Sequence, residues 1–285
     1  MNLDFIAAPL GHFLKFVYDT VSFHNYGIAI IIFTIIIKLA LLPLTIKQYQ
    51  SQGKMQQIQP MLKEAQTRYK NDKEKLNQET MKIYSENKVN PAGGCLPLLV
   101  QMPILITLYW VIIQPLKFML GKNIDQVNKL SDIVNIKGYQ REIGIINYFN
   151  QHVDKLKGIS DLLKRSELVN FNFFGINLGT VPNADIKLLF GPQSGTYLPL
   201  LIIPIFAVIT TYISAKLTIP KNTTQGPANS MQNTMLYIGP VMTLFFSFSL
   251  PAGVGLYWAV GYVVQIFQQL YINKNILKKK EVVIK

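Results

Sequence analysis

Lys38 is a cation inside an otherwise apolar run at residues 27–46, roughly 12 Å from the end of that run at about 1.5 Å per helical residue. A charge at that depth is costly in hydrocarbon. It normally faces a watery cavity or a partner, unless its long stem lifts the ammonium toward the interface. Thr34 stands one helical turn earlier on the same face. Trp258, Tyr262, Gln265 and Gln269 follow i, i+4, i+7 and i+11 and so project from one side of a second helix, while Thr243 and Ser247 are four apart on a third. Singly, such residues are helix–helix glue or interfacial anchors. Together with Lys38 they could line one hydrophilic recess that opens within the bilayer. The chemistry on offer is electrostatic. The sequence contains no GxSxG, no phosphate-binding loop, no HExxH and no paired intramembrane carboxylates, so neither an enzyme nor a proton-coupled pump is expected. Neither a cofactor nor a metal is expected: His12, His24 and His152 are scattered and Cys95 is the only cysteine.

These residues need helices to carry them. Of 285 residues, 49% are apolar and only 15% charged, against roughly 25% charged in soluble domains. The apolar residues are gathered into runs near the length a bilayer demands. Five membrane spans are expected, at 27–46, 95–114, 197–217, 235–250 and 253–272, giving an all-α membrane protein. The fourth is short and fits a thinned bilayer or an earlier start. Residues 1–26 carry apolar side chains at helical spacing. They read either as an amphipathic helix in the interface or as a helix packed on the spans.

Residues 47–94 contain nine basic and five acidic positions within 47–90, with Met55, Ile58, Met61, Leu62, Ala65 and Tyr69 at helical spacing and a looser set at Leu76, Met81, Ile83 and Tyr84. A helical hairpin turning at Asn71-Asp72 is expected there. Residues 115–196 read as a long polar loop with ten basic and seven acidic positions, of which the aromatic stretch 170–181 could dip into the interface. Residues 218–234 are a short loop and 273–285 a tail with five lysines. The basic hairpin and tail belong on the cytoplasmic side, and the N-terminus outside. The net charge of +13 suits anionic lipid and leaves ribosomal RNA open as a partner of the exposed basic segments.

Two segments carry a family resemblance. Residues 90–104, NPAGGCLPLLVQMPI, are similar to the signature at the second conserved span of the YidC/Oxa/Alb membrane protein insertases, and residues 251–272, PAGVGLYWAVGYVVQIFQQLYI, resemble that family's last span. The resemblance runs from residue 27 to the C-terminus and is closest to the short, Gram-positive-like type without a large periplasmic domain. It implies five spans around a hydrophilic groove, closed to the outside, in the bacterial cell membrane. It implies insertion of nascent membrane proteins without chemical catalysis, alone or with the Sec translocon, and contact with ribosome and anionic lipid but not DNA. The family's groove cation falls on Lys38, usually an Arg. The Thr one turn earlier falls on Thr34, the aromatic position of the last span on Trp258, and the apolar slide of the second span on Leu105, with Leu108 beside it. The sequence departs from the pattern in that Lys keeps charge but loses the guanidinium fork. It also has no large domain before the first span and no Cys near the N-terminus to carry a lipid. A small-solute transporter or channel and a non-catalytic assembly scaffold are the alternatives. Five spans without a repeat argue against the first, and a scaffold would have no use for an intramembrane charge.

Overall fold

The computed structural model describes residues 4–89, 96–218 and 227–274. The first residues of the 90–104 signature including Cys95, residues 219–226 of the short loop expected at 218–234 and the lysine-rich end of the tail lie outside the described residues; the rest of that loop, from Pro227, is helical, so the fourth expected span starts earlier than 235. Helices dominate, and the only sheet among the described residues is a two-residue hairpin.

Helix α1 (Asp4–Thr20) buries Ala7, Gly11, Leu14, Val17 and Tyr18, a stripe at helical spacing. That face lies on the helices that follow rather than on water or lipid. Gly11 is required by the contact, because a Cβ there would meet the Phe118 carbonyl oxygen at 2.3 Å. The reading of residues 1–26 as a helix packed on the spans therefore describes one face, while Phe5 and Phe16 stay exposed on the other.

Helix α2 (Tyr26–Ala40) starts at Asn25, whose side chain accepts the Ile28 N–H at 3.1 Å. Its rich Ile content makes it apolar on all sides, and Ala29, Ile30, Phe33 and Thr34 turn inward. The segment expected as one span, 27–46, is broken. Helix α3 (Leu42–Arg68) leaves α2 at a bend of 60°. Pro43 causes it: proline has no N–H to give back to the preceding turn, and its ring disfavours helical geometry at Leu42. Helix α4 (Lys73–Glu86) returns along α3, capped by Asp72, which accepts the Lys75 N–H at 3.0 Å. The hairpin has its own small core of Ile58, Leu62, Ala65, Ile83 and Val89. Met61 and Met81, which share the apolar spacing, are exposed.

Helix α5 (Leu96–Ile113) is followed by a region that is not a loop. Residues 115–196 fold into helices α6 (Pro115–Phe118), α7 (Ile124–Val134), α8 (Arg141–Gln151), α9 (Ile186–Phe190) and α10 (Ser194–Leu200), with a hairpin of strands β1 (Asn172–Phe173) and β2 (Ile176–Asn177). The region buries Leu116, Val127, Leu130, Ile145, Ile146, Phe149 and Phe171 in one continuous core with α1, α2 and α5. Glu142, buried in this cap, accepts the Lys117 N–H at 3.0 Å and so ties α8 to the turn that leaves α5. Desolvation pushes its carboxyl up to about 7, against the pull of backbone N–H groups and the Arg141 and Lys117 charges. Lys122 and Glu167 add a partly buried ion pair at 2.7 Å.

Both connections at the N-terminal end of α2 use left-handed backbone. Phe23 and His24 have φ of 53° and 55°, and the hairpin turn Phe174-Gly175 has φ of 49° and 82°. Two consecutive positive values make it the mirror-image turn that favours Asn-Gly. A side chain other than Gly costs about 1–2 kcal/mol in that conformation.

Helix α10 runs into α11 (Ile202–Thr218), and Ser194–Thr218 together form the one unbroken run among the described residues that is long and apolar enough to cross a membrane. Helices α12 (Pro227–Ser247) and α13 (Ala252–Ile272) complete the chain. Helix α13 packs on both α2 and α11.

Candidate functional site

The bend at Leu41 places Lys38 near the C-terminal end of α2, against α13. Gly261 of α13 passes under it: a Cβ there would stand 3.5 Å from Lys38 Cε and 3.9 Å from Thr34 Cγ2, ordinary contact distances, so the two helices meet closely at the lysine stem. Lys38 Nζ donates to Gln265 Oε1 at a long 3.4 Å and has no ion pair among the described residues. Thr34 is fully buried one turn away, its hydroxyl donating back to the Ile30 carbonyl at 2.6 Å.

The other polar residues divide into two groups. Gln265 bonds both Lys38 and the buried Tyr49, the latter from the second turn of α3. Gln269 is buried below them. Its amide nitrogen donates to Asn273 Oδ1 at 3.0 Å, and its Oε1 has no partner. The second group lies between α11, α12 and α13. Tyr262 bonds Thr211 and Thr243, whose hydroxyls are 3.3 Å apart, and Ser247 Oγ is buried without a partner. Trp258 is half-buried and meets Phe246 edge to face at 5.9 Å. The residues picked by spacing are thus close in space, but as an amide cluster around Lys38 and a hydroxyl cluster one helix away.

Two contributors escape the spacing argument. Gln268 is buried beside the stripe and donates to the Lys38 carbonyl at 2.9 Å, taking up a backbone acceptor at the end of α2. Thr211 belongs to a polar face of Thr210, Thr211 and Ser214, legible in the third apolar run as i, i+1, i+4 spacing.

The second-span positions fare differently. The side chain of Leu105 lies outside the described residues. Leu108 is fully buried in the core with Val111 and Ile112, so it is not on an outer apolar face; Ile106, two residues earlier, is exposed. The correction follows from helical phase, since α5 turns the side holding Leu108 toward α1.

Comparison with known proteins bears on the whole chain. Residues 16–280 match the family described as 60Kd inner membrane protein. Among similar proteins is one named membrane protein insertase YidC 2 from Listeria innocua, 33% identical over 90% of this chain and 67% of its own length. Proteins named membrane protein insertase YidC from Geobacter metallireducens and Saccharophagus degradans are 32% and 31% identical over 95% and 97% of this chain, which spans 37% of the length of each.

Proposed function

The chain belongs to the 60Kd inner membrane protein family, and from that premise we propose that it is a membrane protein insertase of the bacterial cell membrane. Nascent membrane proteins would be its clients and Lys38 the charge that receives their polar ends. The carrying observation is Lys38 itself, set at a helix break beside the amides of Gln265 and Gln268, with no carboxylate paired to it among the described residues. In this reading α2, α5, α10 with α11, α12 and α13 cross the bilayer.

The obstacle to insertion is a polar client tail crossing about 30 Å of hydrocarbon. Unpaired peptide groups and carboxylates are expensive there. Helix α2 has 15 residues and so reaches only about 22 Å, with Lys38 some 18 Å below its outer end. The membrane layer must therefore extend past the bend, and the ammonium lies within it. Water reaching the amide and hydroxyl clusters from the cytoplasmic side would form a hydrophilic groove. An acidic tail drawn to Lys38 would then have about 18 Å left to cross instead of about 30 Å. The client's apolar segment would leave sideways along exposed apolar faces such as that of Ile106, next to Leu105 in the sequence. Its partitioning into lipid supplies the driving force, and no nucleotide is needed. The hairpin of α3 and α4 would meet the client first, and the basic segments would contact ribosome, anionic lipid or the Sec translocon.

The test replaces the wild-type chain in depleted cells by Lys38→Ala or Lys38→Arg and follows clients with acidic external tails. Loss of insertion with Ala and retention with Arg is the expected result. Full insertion of all such clients with Ala would overturn the charge-attraction step. A membrane proteome unchanged on depletion would overturn the insertase reading itself, and solute uptake by proteoliposomes would favour a transporter.

A further inference from the structure

We propose that the two left-handed aromatic turns at the outer end of α2, at Phe23 and Phe174, are a lipid anchor that holds the external cap down on the outer leaflet. Phe23 is 89% exposed and Phe174 87% exposed, the two most exposed large apolar side chains described. Both stand at positive φ, where a side chain is disfavoured. The turn at Phe174-Gly175 would be better served by Asn-Gly. Among the described residues Phe174 makes one ring contact, edge to face with Phe173 at 4.7 Å. A disfavoured backbone that presents a bare ring needs a surface that rewards the ring.

The surroundings say which surface. The turns adjoin each other, because Asn25 Nδ2 donates to the Asn172 carbonyl at 2.9 Å and the Tyr26 N–H donates to the Asn170 carbonyl at 3.1 Å. The hairpin is also clamped to the first turn of α2, where Phe173 fills the space that a Cβ on Gly27 would occupy, 2.3 Å from the ring. From Gly27 to Phe33 α2 is apolar on every side, so the hairpin sits at the level where the chain enters hydrocarbon. Charge is absent from both segments. No Asp, Glu, Lys or Arg occurs from residue 20 to 37 or from 168 to 184, in a chain that carries 43 of them. A docking face for a protein partner would profit from charge at its rim, whereas rings flanked by Asn and backbone amides suit the headgroup–acyl boundary. The inference requires only that α2 enters a bilayer and is independent of what the groove does.

The test uses the full chain with Cys95→Ser, and Phe23→Cys, Phe174→Cys or, as a control on an exposed part of the same cap, Lys157→Cys. Each is labelled with an environment-sensitive fluorophore and reconstituted in phosphatidylethanolamine and phosphatidylglycerol vesicles. Labels at 23 and 174 are expected to be quenched by lipids bearing a nitroxide near the headgroup and shielded from iodide, with the reverse at 157. Iodide quenching at 23 and 174 equal to that at 157 would overturn the proposal. So would shielding from iodide without lipid quenching, which would mean that protein covers the turns. Insertion activity plays no part in the readout, so this outcome is separate from that of the Lys38 test.

Discussion

The half of the molecule around the cap and the half around Lys38, outer and inner in the orientation proposed above, are built on opposite terms, although α2 and α13 run through both. The outer half is a continuous apolar core: α1, the first two turns of α2, the end of α5, the cap and the first turns of α13 share it, down to Phe33 and Tyr257. From Thr34 and Gly261 onward the same two helices face each other through Lys38, Gln265, Gln268 and Gln269. Buried polar atoms left without partners, Ser247 Oγ and Gln269 Oε1, occur in the polar half. The difference teaches where the two helices meet through apolar contact and where they meet through polar groups. In the proposed groove the first would bar ions, and the second would offer groups that water can replace.

Four measurements would break or sharpen that contrast. The largest effect belongs to the outer core: Phe149→Ala, at a fully buried position, should cost about 3–5 kcal/mol and abolish cooperative thermal unfolding in micelles. A mild effect there would mean that the cap is not part of the core. Next is Glu142. Its carboxyl is raised from 4.5 to about 7, so the folded state holds the proton more tightly than the unfolded chain. This contribution is fully present below about 4.5 and is lost as pH rises through 7, for a total of up to about 3 kcal/mol at roughly 1.4 kcal/mol per pKa unit. Glu142→Gln should match wild type at pH near 5, and unfold at a higher temperature near pH 8. A pH-independent difference would sink the account.

The inner half should respond less in stability and more in function. Gln268→Leu leaves the Lys38 carbonyl without its partner, at a cost of about 1–3 kcal/mol. It should lower insertion of acidic-tailed clients, read by protease protection of the tail, while leaving neutral-tailed clients untouched. An equal loss for both would mean that Gln268 only holds helices together. Smallest is Ser247→Ala, which removes an unpartnered hydroxyl and should shift stability by within about 0.5 kcal/mol in either direction.

What the sequence disclosed follows the same division. Lys38, Thr34 and the stripe on the last span were legible because a charge or amide in an apolar run stands out and helical spacing is a local property. The hairpin of α3 and α4 was legible from Ile58, Leu62 and Ala65 for the same reason. Gln268 was not, since its role depends on the break that Pro43 makes some 230 residues earlier in the chain. The external cap was read as a polar loop because seventeen charges mask short helices whose apolar faces, Val127 with Leu130 and Ile146 with Phe149, find their partners only on α5 and α1. The hairpin turn hid because Phe-Gly stands where the turn asks for Asn-Gly. Leu108, set beside the slide position by the family resemblance, is buried here; a resemblance gives a position in the span but not the side that faces out.

The elbow at Leu41 also sets a lever. Helix α3 has 27 residues and so is about 40 Å long, and Lys38 lies three residues from its pivot. Tilting α3 by about 10° would swing the far tip by roughly 7 Å over that length, while the ammonium would move by only a fraction of that distance. In the proposed function, a hairpin mounted this way would sweep a wide arc toward a client while leaving the ammonium nearly in place.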